Sequence, residues 1–182
     1  MGKVEGIGIF DGVCERATNI YECWRNMIHR CYNEKYLKKN PTYIDCVVCD
    51  EWKLYSNFKK WFLENYIKDY QLDKDLLGDG KIYSPNTCCF VSKEINTFLT
   101  NKQRNNTSGH PGVCFDKFTN SWIVHTTISR KSIHLGRSTD FYQAIDLYKR
   151  GRNKHVLNII SKYSHLNKNI LEAIKMKGGY FV

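Results

Sequence analysis

The chain has 182 residues, enough for one domain or two small ones, and its 42% apolar and 14% aromatic content supplies a packed core and excludes a disordered chain. A formal net charge of +10 draws such a protein to polyanions without choosing among DNA, RNA and acidic membranes. No segment approaches the roughly 20 apolar residues of a membrane span, and the N-terminus lacks the basic-then-apolar pattern of a secretory leader, so an intracellular location is expected.

In chain order, residues 17–32 read as an amphipathic helix, with Trp24, Met27, Ile28 and Cys31 at i, i+3, i+4 and i+7 on one face. A polar stretch from Asn33 to Asn40 follows and breaks at Pro41. A second helix is expected from about Asp50 to Tyr66, with Tyr55, Phe58, Phe62 and Tyr66 as its buried stripe. Then come a short strand at Tyr70–Asp73, turn chemistry at Leu77–Gly80, a second strand at Lys81–Tyr83, an irregular piece, and the apolar run Cys88–Val91. Ser92 is placed to cap a helix carrying Asn96.

The polar run NKQRNNTSG (101–109) marks a linker. Beyond it three strands are expected at 112–116, 121–128 and 131–135. Thr139 or Asp140 caps a helix with Phe141, Ala144, Ile145 and Tyr148 on one face. Residues 155–163 extend that helix or form another after Gly151, and a last helix near 168–176 ends at Gly178-Gly179. The expected domains are therefore 1–100 and 110–182.

Charge is unevenly divided. Residues 1–100 hold 14 basic and 14 acidic side chains, whereas residues 101–182 hold 14 basic and only 4 acidic ones. The whole excess lies in the C-terminal part, as expected if that part grips phosphate; a basic surface kept for solubility is the plainer reading.

In the middle segment, Asp73 and Asp75 offer two carboxylates at a strand end and Asn96 an amide oxygen on the following helix. Hard cations such as Mg²⁺ or Mn²⁺ take such oxygen donors, although an exposed acidic turn explains the same spacing. The run LDKDLLGDGKIYSPNTCCFVSKEIN resembles the core of HNH-type, ββα-metal nucleases, particularly a group widespread in bacteriophages. The upstream segments WRNMIHRCY, PTYIDCVVCDEW and SNFKKWF are similar to the same group, so the resemblance covers about Trp24 to Asn96.

That resemblance implies a metal-dependent DNA endonuclease of the homing or accessory kind, working in a bacterial host cytoplasm. It implies that Asp73 and Asn96 are the metal ligands, and that Thr87 stands where a middle Asn usually orients the loop. Lys74 occupies the usual place of the general-base His. A lysine would need a strongly lowered pKa to take a proton from water, and its acidic neighbours oppose that. A charged Lys74 would instead contact the phosphate, leaving water activation to Tyr83 or Asp75, or more remotely to His29. The rival is a nuclease-like scaffold that binds DNA without cutting it.

Of eight cysteines, Cys46 and Cys49 have metal-ligand spacing, and with Cys31 and Cys88 they suggest a structural Zn²⁺ site; small buried core residues are the alternative. In the C-terminal part, GHPGVCFDKFTNSWIVHTTI and KSIHLGRSTDFYQAIDLY are similar to AP2-type DNA-binding domains, matching the framework at Gly112-Val113, Trp122 and Leu135-Gly136. The resemblance implies that His125, Thr127, Ser132 and His134 face double-stranded DNA. Lys117, Arg130, Lys131 and Arg137, near strand ends, are the expected phosphate contacts. The expected fold is α+β: a ββα-metal core with flanking helices, then a three-stranded sheet packed on a helix.

Overall fold

A computed structural model describes residues 3–12, 18–99, 108–128 and 131–180. The protein is of mixed α+β class and contains a small three-stranded antiparallel sheet. It divides into two compact units, Met1–Ser92 and Lys93–Val182. Most of the expected linker, residues 101–107, lies outside the described residues, and helix 93–99 belongs to the second unit.

The first unit opens with a hairpin of β1 (Lys3–Val4) and β2 (Gly8–Ile9). Helix α1 (Asn19–Tyr32) starts at Thr18, whose hydroxyl accepts the Tyr21 N–H, and buries the expected Trp24, Met27, Ile28 and Cys31. The polar stretch after it is not irregular. Asn33 caps a short helix, α2 (Glu34–Lys39), by accepting the Tyr36 N–H, and because this helix buries nothing it left no apolar period to read.

After β3 (Val47–Val48) the expected long helix is two pieces, α3 (Asp50–Lys53) and α4 (Tyr55–Asn65). Leu54 between them is extended and bridges Ile9 in parallel, a tertiary contact that interrupts the helix. Tyr55, Phe58 and Phe62 are buried as expected, while Tyr66 lies past the helix end and stacks on Phe62. Tyr55, Phe58 and Phe62, with Trp24, Trp52 and Phe90, form one aromatic core, in which the Trp24 indole donates to the Trp52 carbonyl at 2.7 Å.

The remaining strands are β4 (Gln71–Asp73), β5 (Ile82–Tyr83) and β6 (Cys89–Val91). Strand β4 pairs antiparallel with β6, Asp73 opposite Cys89, whereas β5 pairs in parallel with β3. The apolar run after Thr87 is therefore the return strand. All three β6 residues are buried, which draws that run, rather than the partly exposed Ile82–Tyr83, to the side of β4.

In the second unit, α5 (Lys93–Leu99) packs with α7 (Lys168–Gly178). Strands β7 (Val113–Asp116), β8 (Ser121–Ile128) and β9 (Lys131–Ser138) form the sheet in that order. Helix α6 (Phe141–Lys162) covers one face of it, capped by the Asp140 carboxylate on the Gln143 N–H. Val113, Val124, Ala144 and Tyr148 are the centre of the core, with Trp122, Leu135, Phe141 and Ile145 packed on it. Helix α6 runs straight through Gly151, because the missing side chain makes a notch filled by Leu135. No helix among the described residues is long and apolar enough to cross a membrane.

Arg152 and His155 are ionisable side chains buried inside this unit. Arg152 stacks on the Phe98 ring and donates to the carbonyls of Gly178 and Phe98. One turn on, His155 is buried with its Nδ1 unpartnered; burial lowers its pKa, and the Arg152 charge lowers it further. In the unfolded chain the imidazole protonates at its ordinary value, whereas in the folded one protonation is held off to lower pH. The unfolded state therefore binds more protons in that interval, and stability falls as pH drops below about 6.5. The urea midpoint should decline across this window in the native protein and flatten in His155→Phe; an equal decline in the variant would assign the pH dependence elsewhere.

Candidate functional site

In the first unit, the candidate chemistry sits on the loop that leaves β4 at Asp73 and returns at β6. Asp73 is 7% exposed, and its Oδ1 accepts the Asp75 N–H at 3.0 Å and the Leu76 N–H at 2.7 Å, turning the chain sharply out of the strand. Burial raises its pKa above the usual carboxylate range, and the two N–H donors and Lys74 only partly offset this.

Lys74 is turned inward. Its side chain is 6% exposed overall as a residue, and Nζ donates to the Gly80 carbonyl at 2.6 Å and to Asp75 Oδ1 at 2.7 Å. Nζ also lies 5.2 Å from the Tyr43 ring centroid and 5.7 Å from that of Tyr83. Burial pulls its pKa down, but the hydrogen bond and charge of Asp75 outweigh that and the net displacement is upward. Lys74 therefore stays an ammonium at neutral pH and cannot act as a base. The cation expected at a phosphate instead pins the loop.

Gly80 is the other half of that pin. Its φ is +79°, and a Cβ there would collide with the Asp75 carboxylate. Its carbonyl also accepts a weak bond from Cys46 Sγ at 3.5 Å. Farther along, the Thr87 hydroxyl donates to the Ile82 carbonyl at 2.6 Å and accepts the Ser84 N–H at 3.1 Å, so Thr87 fixes the loop's return.

The candidate bases are separated by burial. Tyr83 is 2% exposed, and burial, with Tyr43 adding to it, drives its phenol far above the ordinary value despite a hydrogen bond with Arg30. It stays protonated. His29 is engaged by Glu5, Nδ1 to Oε1 2.8 Å, and by the Tyr36 ring. Asp75, with a side chain 60% exposed, is the accessible carboxylate of the three groups. Asn96 lies on α5 in the second unit and is partly exposed.

The sequence reading did not single out Arg30 or Tyr43, which line the same interior as Lys74 and Tyr83. Arg30 follows Met27 by three positions, beside the buried stripe of α1, and that spacing was the available signal.

Asp73 is a hard oxygen donor whose buried charge a cation would compensate. Among the described residues no three His, Cys, Asp or Glu side chains group as metal ligands, so a cation held by Asp73 would keep most of its waters, as Mg²⁺ commonly does. The expected zinc ligands do not come together as such a group among the described residues. Burial pushes Cys31 and Cys88 up to about 12, and Cys46 donates to the Thr42 and Gly80 carbonyls. Cys31, Cys46 and Cys88 are core residues, and Cys49 packs beside them.

In the second unit, the register collects the expected DNA-facing residues. His125 stands opposite His134, Thr127 opposite Ser132 and Ile123 opposite Arg137, all on the sheet face away from Trp122, Val124 and Thr126. A bulge between Val124 and His125 keeps this alignment across the glycine at 136. Lys131 falls on the opposite face, paired with Ile128, and Lys117 is exposed in the β7–β8 turn. Arg130 lies outside the described residues. Compared with protein-family models, curated proteins and solved structures, the chain matches none.

Gly80→Ala should lower the stability of the first unit by about 1–3 kcal/mol, from the left-handed φ and the lost loop closure; an unchanged urea midpoint would contradict the role given to Lys74. Asp73→Asn keeps the acceptor for both N–H groups and removes a charge that burial disfavours. It should raise the melting temperature at neutral pH, and the gain should shrink as acid protonates the native Asp73.

Proposed function

We propose that the protein binds duplex DNA through the outer face of its three-stranded sheet and hydrolyses DNA phosphodiesters with a divalent cation held at Asp73. The observation that carries the binding half is the cross-strand alignment of His125, Thr127, Ser132, His134 and Arg137 on one face. These are hydrogen-bonding and cationic side chains on a ribbon, in the half of the chain with the charge excess. A two- or three-stranded ribbon fits a major groove and offers alternate side chains to base edges.

The cutting half is supported by chain order and by Asp73. Strand β4, the loop that contains β5, the return strand β6 and helix α5 come in chain order, as the resemblance to a ββα-metal core implies. The resemblance assigns Asp73 to the cation and implies a phage homing or accessory nuclease. A bound Mg²⁺ or Mn²⁺ supplies Lewis-acid activation of water and offsets charge on the phosphate. The chain's own contribution begins with Asp73, oriented by two backbone N–H groups. Lys74 and Gly80 hold the loop around it, and Asp75, hydrogen-bonded to the Lys74 ammonium, is the carboxylate open to accept a proton. The second reading, a scaffold that binds without cutting, is favoured by the charged Lys74 and protonated Tyr83, which leave no imidazole or phenolate at the usual place of the base.

Supercoiled plasmid incubated with Mg²⁺, Mn²⁺ or EDTA separates these readings. Nicked or linear product is expected with metal and none with EDTA, and Asp73→Ala should slow cutting by on the order of 100-fold. No cutting by the native chain with any metal would leave the scaffold reading. Activity surviving in Asp73→Ala would move the site elsewhere, and structured RNA outcompeting duplex DNA at matched salt would replace DNA as the ligand.

A further inference from the structure

A small cavity of about 50 Å³ lies in the second unit where β7 begins, lined by Gly112, His125, Thr126, Thr127, Ser132 and Arg152, with Pro111 and Tyr148 completing the wall. Gly112 lets the wall pack closely: φ is +70°, and any side chain there would strike the His125 carbonyl and the Tyr148 ring. The volume exceeds the roughly 10–15 Å³ that one water needs, so the cavity accommodates a group larger than a single water.

Its lining is unusual in two respects. Thr126 is only 5% exposed, and its hydroxyl has no partner. A buried hydroxyl left unbonded is destabilising, and an apolar valine would fill the same space without that penalty. Arg152 is 7% exposed; its two described hydrogen bonds go to backbone carbonyls, and its guanidinium rests on the Phe98 ring. A buried cation is ordinarily matched by an anion, yet among the described residues no carboxylate lines the cavity. The other polar side chains there are an imidazole, further hydroxyls and a phenol, all able to donate.

From this lining we infer that the cavity is an oxyanion site, built to take a phosphate group against Arg152 and the Thr126 hydroxyl. The charge of a phosphate matches the guanidinium, and one of its oxygens accepts from the Thr126 hydroxyl on the same face of the sheet. His125, Thr127 and Ser132 belong also to the outer face of the sheet, so the group that enters is either a free phosphate or a phosphate of a nucleic-acid backbone. The inference stands on the cavity itself and does not require that the protein cut DNA.

The test uses the full chain without metal or DNA. Inorganic phosphate should raise the melting temperature beyond chloride at equal ionic strength, and should broaden its own phosphorus NMR line. In Thr126→Val the half-saturating phosphate concentration should rise by about tenfold, while the phosphate-free protein should melt no lower than the native chain. Thr126→Ser, which keeps the hydroxyl, should bind phosphate about as the native chain does. Competition with duplex DNA then identifies the source: displacement by phosphate beyond the chloride control assigns the site to a backbone phosphate, and binding without displacement assigns it to the free anion. No phosphate-specific stabilisation would overturn the inference and leave a water-filled cavity. Equal phosphate affinity in the native chain and Thr126→Val would also overturn it, whatever the plasmid assay shows.

Discussion

The first unit's loop depends on one buried ammonium. Lys74 reaches back to the carbonyl of Gly80 and takes Asp75 with it, and the same carbonyl receives Cys46. A buried charge is tolerated only when its donors are satisfied. The backbone must therefore present a carbonyl at this point, and only a glycine can present it with φ at +79° and the Asp75 carboxylate so close. Asp73 inherits its orientation from this closure: its neighbours at 75 and 76 are held where their N–H groups meet Oδ1.

The consequence for chemistry is a division of labour among three adjacent residues. Asp73 is buried, its charge disfavoured by its surroundings. Lys74 is a fixed positive charge, kept so by Asp75. Asp75 is the exposed one. Had a histidine occupied position 74, a neutral ring nitrogen would have been available to take a proton; with lysine there, the position secures the loop instead.

In the second unit the corresponding constraint is Arg152, a cation surrounded by carbonyls and an aromatic face. It ties α6 to the C-termini of α5 and α7 through Phe98 and Gly178. Beside it the sheet has two faces of different character. Val124 packs on α6, while His125, Thr127, Ser132 and His134 stand opposite, at positions where a core would tolerate them poorly. The bulge at Val124/His125 lets β9 pass from one pairing to the next without placing a histidine in the core.

Much of this was legible in the chain itself. The spacing of Trp24, Met27, Ile28 and Cys31 placed α1, and the alternation from Trp122 to Thr127 assigned the two faces of β8, because helix and strand periods are local properties. The imbalance of charge located the basic half. Tertiary structure decided what depends on partners distant in sequence. It broke the second helix at Leu54 through a bridge to Ile9, paired β4 with β6 and β5 with β3, and carried α6 through Gly151 over Leu135. It also turned Lys74 inward to Gly80, left Cys31, Cys46 and Cys88 as core residues, and brought Arg152 and Thr126 to one cavity. No local period encodes such meetings; they follow from which buried charges and apolar surfaces find one another when the chain closes on itself.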